Sequence, residues 1–171
     1  MAFVSLLMRI LLKNAKIFDS YHIFYYFCTK IQIYMDRTEF STILKDKRES
    51  LCISKYKISK DTGLTPLQLN RIEDAVNSYS MGNIFKYLNA IGCNINLHKG
   101  KRTNVLNCIE DFSSWVTKRR GKNITMYALG KQIGSNVVTI TRIETKQTVV
   151  GVDLFLKIVE AFGWELKIEN V

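Results

Sequence analysis

The sequence predicts a mainly α protein built of two tandem small helical bundles, each ending in a short β-strand. Three observations predict it. The chain repeats itself at a fixed offset, each copy sets apolar residues at helical spacing behind helix-capping residues, and each copy ends by switching to strict alternation.

The repeat fixes the organisation. Arg71-Ile72-Glu73 returns as Arg142-Ile143-Glu144, 71 positions later. Applied without gaps, that offset pairs Lys47-Arg48 with Lys118-Arg119, Ile53 with Ile124, Tyr56 with Tyr127, Gly63 with Gly134 and Gly92 with Gly163. Chemical class is kept at Ser54/Thr125, Leu69/Ile140 and Ile95/Leu166. The chain therefore divides into an apolar extension (1–34), a first repeat (35–99), and a short basic link with the second repeat (100–171).

The elements follow in order. A first helix is expected over 39–49, with a counterpart near 108–120. The second helix spans 55–62 behind Ser54, and its copy spans 126–133 behind Thr125; a hydroxyl there accepts from the first free N–H groups. Gly63 and Gly134 stand where a helix must stop and turn. The third helix begins at once, with Thr65 as cap and Pro66 at the first position, where proline loses no hydrogen bond. The fourth helix carries Met81, Ile84, Phe85, Leu88 and Ile91, matched by Val152, Phe155, Leu156, Val159 and Phe162. After Gly92 and Gly163, residues 93–97 and 164–168 alternate with period two and read as strands. Two strands with unpaired backbone in one chain invite pairing with each other. Trp115 and Trp164 are expected as core or interface anchors, and Tyr56 and Tyr127 as packing residues with an exposed hydroxyl.

Composition narrows the function. The chain has 171 residues, 47% of them hydrophobic, and a net charge of +10 from 25 Lys and Arg against 15 Asp and Glu. That balance supports a packed core and suits a polyanionic partner, nucleic acid or anionic membrane, without choosing between them. Four cysteines without a C-x-x-C pair and two histidines give no basis for a zinc site or a disulfide framework, so reduced thiols in a cytoplasmic protein are expected. No phosphate-cradling glycine loop, H-E-x-x-H or G-x-S-x-G is present. No enzymatic activity, catalytic residue, metal, cofactor or small-molecule ligand is expected.

The stretch 53–73, ISKYKISKDTGLTPLQLNRIE, and its copy 124–144, ITMYALGKQIGSNVVTITRIE, resemble the Cro/C1 (XRE-like) helix-turn-helix family of phage-repressor type. The resemblance covers roughly 36–171. It implies a third helix lying in the DNA major groove and a second helix whose N-terminal end meets phosphate. Carried over position by position, it implies DNA contacts from Lys55, Thr65, Gln68, Asn70 and Arg71 in the first repeat. In the second it implies Asn136, Thr139, Thr141 and Arg142. Arg71 and Arg142 are open to either phosphate or base contact. The resemblance also implies structural ion pairs, Arg48 with Glu73 and Arg119 with Glu144. The family pattern is broken at Pro66-Leu67 and Val137-Val138, apolar where readers are often polar, and at Met126, where the first repeat has Lys55.

A helix, a glycine and a terminal strand are also similar to Hip-type antitoxin repressors, whose strands pair between subunits. Here residues 95–97 and 166–168 are expected to pair within one chain as a built-in pseudo-dimer. The resemblance implies a transcriptional regulator, a repressor in the first place, and the unlike readers of the two fused copies predict an asymmetric two-half-site operator. Two alternatives stay open: an antitoxin that also binds a toxin, and a protein-interaction module without DNA binding. For residues 1–34 the first reading is a start at Met35, because Asp36-Arg37-Thr38-Glu39 is a natural helix start. An added packing helix and a membrane-surface helix follow it. The apolar run is too short to cross a bilayer, and membrane contact is not expected.

Overall fold

The computed structural model describes residues 35–171, Asn123 excepted. Its order is α1 (Arg37–Ser50), α2 (Lys55–Thr62), α3 (Pro66–Glu73), α4 (Met81–Ala90), β1 (Cys93–Lys99), β2 (Arg102–Leu106), α5 (Ile109–Arg120), α6 (Met126–Gln132), α7 (Val137–Glu144), α8 (Val152–Ala161) and β3 (Glu165–Asn170). The described residues are thus mainly helical, with one small antiparallel sheet. The expectations for residues 1–34 lie outside the described residues.

Local chemistry sets the helix starts. Asp36 Oδ1 accepts from the Glu39 N–H at 2.8 Å. Ser54, Thr65 and Ser80 cap α2, α3 and α4. Thr125 and Asn136 do the same for α6 and α7. Each such cap stabilises its helix by about 1 kcal/mol. Gly63 ends α2 in the left-handed region at φ 71°, and Gly134 follows α6 at φ 67°. A Cβ at either glycine would meet nothing within 4 Å, so the cost of adding one is conformational alone. Gly63→Ala and Gly134→Ala are each expected to destabilise the chain by about 1–2 kcal/mol, read by thermal unfolding; a neutral result at both would show that the turn relaxes.

Pro66 and Val137, which open α3 and α7, are 71 positions apart, as are Met81 and Val152, which open α4 and α8. The first helices break that rule. Buried Phe40, Ser41 and Leu44 of α1 correspond to buried Phe112, Ser113 and Val116 of α5, an offset of 72. From Arg120 to Met126 the second copy is one residue shorter than the first is from Arg48 to Lys55, because α5 stops at Arg120 whereas α1 runs two residues past Arg48. Gly121 makes the shortening possible with φ 52° and ψ −140°, close to a region that in practice only glycine occupies.

The sheet has the order β2-β1-β3, with both pairings antiparallel. β1 is central: Ile95 lies opposite Ile168 and Leu97 opposite Leu166 on the face turned to the core. Asn96 lies opposite Lys167, its own counterpart at the 71-residue offset. Ser80 likewise bridges to its counterpart Gly151, where the Met81 N–H donates to Val150 O at 2.8 Å and the Val152 N–H to Tyr79 O at 2.9 Å. Packing between the copies is reciprocal too, α1 against α8 and α4 against α5. The buried side chains of both copies form one cluster.

The basic link is not a plain connection but contributes a strand. Residues 102–106 form β2, joined to β1 by a two-residue turn at Gly100-Lys101. Gly100 has φ 59° and Lys101 does not share it, the pattern of a type II′ hairpin turn. β2 exposes Arg102, Thr103 and Val105 and buries only Leu106, so its alternation is weak and its charge reads as a linker.

Candidate nucleic-acid interface

Each copy turns one surface outward from its second and third helices. In the first, Ile58, Leu69 and Ile72 fix α2 and α3 to the core, each fully buried. Outside are Tyr56, Lys57, Lys60 and Asp61 of α2 and Thr65, Pro66, Leu67, Asn70 and Arg71 at the start and along α3. In the second, Leu129, Ile140 and Ile143 are the anchors. Tyr127, Asn136, Val137, Val138 and Arg142 are outside.

Several expected contact residues already have partners. Thr65 and Gln68 form a capping box: the Thr65 N–H donates to Gln68 Oε1 at 2.9 Å, and the Gln68 N–H donates to Thr65 Oγ1 at 3.3 Å. The carbonyl end of Gln68 is thereby turned to the helix start, and only its amide nitrogen is left for a ligand. Asn136 Oδ1 accepts from the Thr139 N–H at 2.8 Å and from its hydroxyl at 3.1 Å. Thr141 is half-buried; its hydroxyl lies 3.0 Å from Val137 O and 3.3 Å from Met126 Sδ. Lys55 Nζ donates to Asn70 Oδ1 at 2.9 Å and lies 3.2 Å from Glu73 Oε2. Arg71 and Arg142 are exposed at the far ends of α3 and α7 and form no ion pair among the described residues.

Beneath this surface sits a buried carboxylate. Arg48 Nε and Nη2 donate to the two oxygens of Glu73 at 2.6 and 2.9 Å, and Arg48 Nη1 donates to Ile53 O at 2.9 Å. The Tyr87 hydroxyl donates to Glu73 Oε1 at 2.8 Å. Burial alone would raise the Glu73 pKa, but the hydrogen bonds from Arg48, Tyr87 and Lys55 outweigh it and hold the carboxyl below its ordinary range. The bond to Glu73 in turn raises the Arg48 pKa. Burial first, and then the Glu73 charge, raise that of Tyr87. Tyr87 carried no signal in the sequence, because its counterpart is Ile158.

In the second copy the ion pair is Arg120 with Glu144, not Arg119. Arg120 Nε and Nη2 donate to Glu144 at 2.5 and 2.9 Å, and Nη1 to Ile124 O at 3.2 Å. The 72-residue offset of the first helices is the reason: Arg48 corresponds to Arg120, and Arg119 falls one position short. Arg119 instead lies over the Trp164 ring, 4.4 Å from its centroid, a cation–π contact. Trp164 meets Trp115 edge-on at 5.8 Å, and Trp115 also meets Phe112 and Phe162.

Tyr56 and Tyr127 are not packing residues, being 79% and 69% exposed. Each stands two positions before the buried anchor of its helix, Ile58 or Leu129, which points it away from the core face. Leu67 and Val138 occupy matching exposed positions in α3 and α7, at 60% and 56%.

Among the described residues no cluster of histidine, cysteine and carboxylate groups could hold a metal ion, and no helix is long and apolar enough to cross a membrane. Comparison with protein-family models, with curated proteins and with solved structures finds no match.

Proposed function

We propose that the chain is a sequence-specific double-stranded DNA-binding protein of helix-turn-helix type, acting as a transcriptional regulator. In this reading the two copies form tandem bundles joined as an intrachain pseudo-dimer, working in the cytoplasm and repressing by occupying a promoter. The observation that carries it is the self-counterpart pairing of Asn96 with Lys167 and of Ser80 with Gly151. An antiparallel pairing in which a residue meets its own counterpart marks a local two-fold axis, as at an isologous dimer interface. A two-fold relation presents two recognition helices to inverted half-sites. At matching positions the third helices and their caps carry Thr65 and Asn70 in the first copy but Asn136 and Thr141 in the second, so the half-sites would differ and the operator would not be a palindrome.

Selection of bound sequences from a random DNA pool with the full chain tests the reading. The expected product is an asymmetric site with half-site centres about one helical turn apart, bound with an affinity that falls steeply with salt. Enrichment of a clean palindrome would refute the two-reader arrangement, and absence of binding would refute DNA recognition.

A second reading has one observation in its favour. Tyr56, Leu67, Tyr127 and Val138 place exposed apolar groups at matching positions of both copies, which also suits a protein partner such as a toxin. Replacing Leu67 and Val138 by Ser separates the two. Under DNA recognition the loss is confined to bases bearing a thymine methyl; under partner binding, DNA affinity is untouched.

A further inference from the structure

Lys55 holds the side-chain amide of Asn70 in one orientation. An ammonium group only donates, so the Asn70 atom facing Lys55 Nζ at 2.9 Å is its oxygen. Lys55 is itself held, with Nζ 3.2 Å from the Glu73 carboxylate that Arg48 and Tyr87 bind from the core side. A fixed chain of contacts thus runs from the buried carboxylate to the exposed face of α3 and ends at Asn70. What Asn70 turns outward is its amide nitrogen, a donor.

A free asparagine reads adenine with both ends, its oxygen accepting from N6 and its nitrogen donating to N7. The ammonium takes one of the two lone pairs of that oxygen, and its positive charge disfavours approach of the partly positive N6 amino group to the other. The donor end is left to choose the base. Guanine offers two acceptors in the major groove, O6 and N7, and thymine offers O4, whereas cytosine offers a donor. The second copy has no such clamp. Met126 stands in the place of Lys55 and Thr141 in the place of Asn70, their side chains in contact at 3.3 Å.

We propose that Lys55 is a specificity-positioning residue that makes Asn70 chiefly a donor, reading guanine in the half-site of the first copy. The inference rests on the DNA-binding reading above.

The test is selection from a random duplex pool with the full chain, alongside Lys55→Met, Lys55→Ala and Asn70→Ala. Asn70→Ala identifies the base pair concerned by flattening preference there. At that position the wild type is expected to enrich a G·C pair over an A·T pair. Lys55→Met, which installs the residue of the second copy, is expected to raise adenine relative to guanine roughly fivefold or more, leaving the other half-site unchanged. Lys55→Ala must give the same shift, which guards against an effect of the introduced methionine. An A·T pair already preferred by the wild type overturns the proposal. So does a uniform loss of affinity in both Lys55 variants without a change of base, which would make Lys55 a phosphate contact. If the wild type enriches no sequence at all, the DNA-binding reading falls, and this proposal with it.

Discussion

Arg48→Ala is expected to lower the unfolding free energy of the full chain by about 3–5 kcal/mol, the cost of stranding one member of a buried ion pair. The side chain of Glu73 is fully buried and that of Arg48 is 10% exposed. Removing the guanidinium leaves a carboxylate that cannot reach water and keeps only the Tyr87 hydroxyl and Lys55 as partners. It also deprives Ile53 O of a donor. The matching change in the second copy, Arg120→Ala, is expected to cost less, about 1.5–3 kcal/mol as for hydrogen bonds to a charged group. Arg120 and Glu144 are more exposed, at 17% and 8%, and Ile158 supplies no hydroxyl. Urea unfolding followed by the fluorescence of Trp115 and Trp164 gives both values. Arg119→Ala, losing only its contact with Trp164, should fall below Arg120→Ala; the reverse order would overturn the assignment of the second pair.

Acid probes the same cluster. The folded pKa of Glu73 lies below the ordinary 4.5, so the folded state binds the proton less readily than the unfolded chain does. The stability that Glu73 contributes is complete above the unfolded value and is lost as pH falls through the lower, folded one. Wild-type stability should therefore decline on acidification from about pH 4.5 downward. Glu73→Gln should remove its share of that decline, while lowering stability at neutral pH. An unchanged acid slope in Glu73→Gln would mean that the carboxylate is not held as described.

What could be read from the sequence is what repeats or what obeys local rules. Pro66 at the head of α3, the caps Ser54, Thr65 and Thr125, and the alternation after Gly92 and Gly163 each follow from backbone chemistry within a few residues, and the structure places helices and strands there. The misassigned Arg119 has another origin. A single gapless offset cannot register the residue lost between the paired arginine and the second helix of the second copy, although Phe40/Phe112 and Ser41/Ser113 mark the change. Gln68 and Asn136 look like readers because they are polar and stand at the start of a recognition helix. That same start leaves N–H groups unpaired, and their side-chain oxygens satisfy those first. The clamp of Lys55 on Asn70 joins residues on two helices and has no equivalent in the second copy, so neither periodicity nor the repeat could expose it.

Arg71→Ala and Arg142→Ala are expected each to weaken specific binding by about 1–3 kcal/mol and to relax different base pairs of one operator. Both arginines are exposed in the last turn of their helices, so neither substitution opens a cavity or strands a buried charge, and folding should be unaffected. Their environments are unlike: Asn70 precedes Arg71, and the half-buried Thr141 precedes Arg142. If the copies are related by the two-fold that Asn96/Lys167 and Ser80/Gly151 mark, the affected base pairs lie in opposite halves of the site. An operator whose second half is replaced by an inverted copy of the first should then bind the wild type more weakly than the natural site. It should also respond more strongly to Arg71→Ala than to Arg142→Ala. Competition binding at two salt concentrations separates base readout from phosphate contact. A phosphate contact would weaken every sequence alike and reduce the salt slope by about one, whereas a base contact leaves that slope intact and loses one position of the sequence. Relaxation of the same two symmetry-related base pairs by both variants would end the asymmetric model, because a palindrome bound in either orientation gives that result.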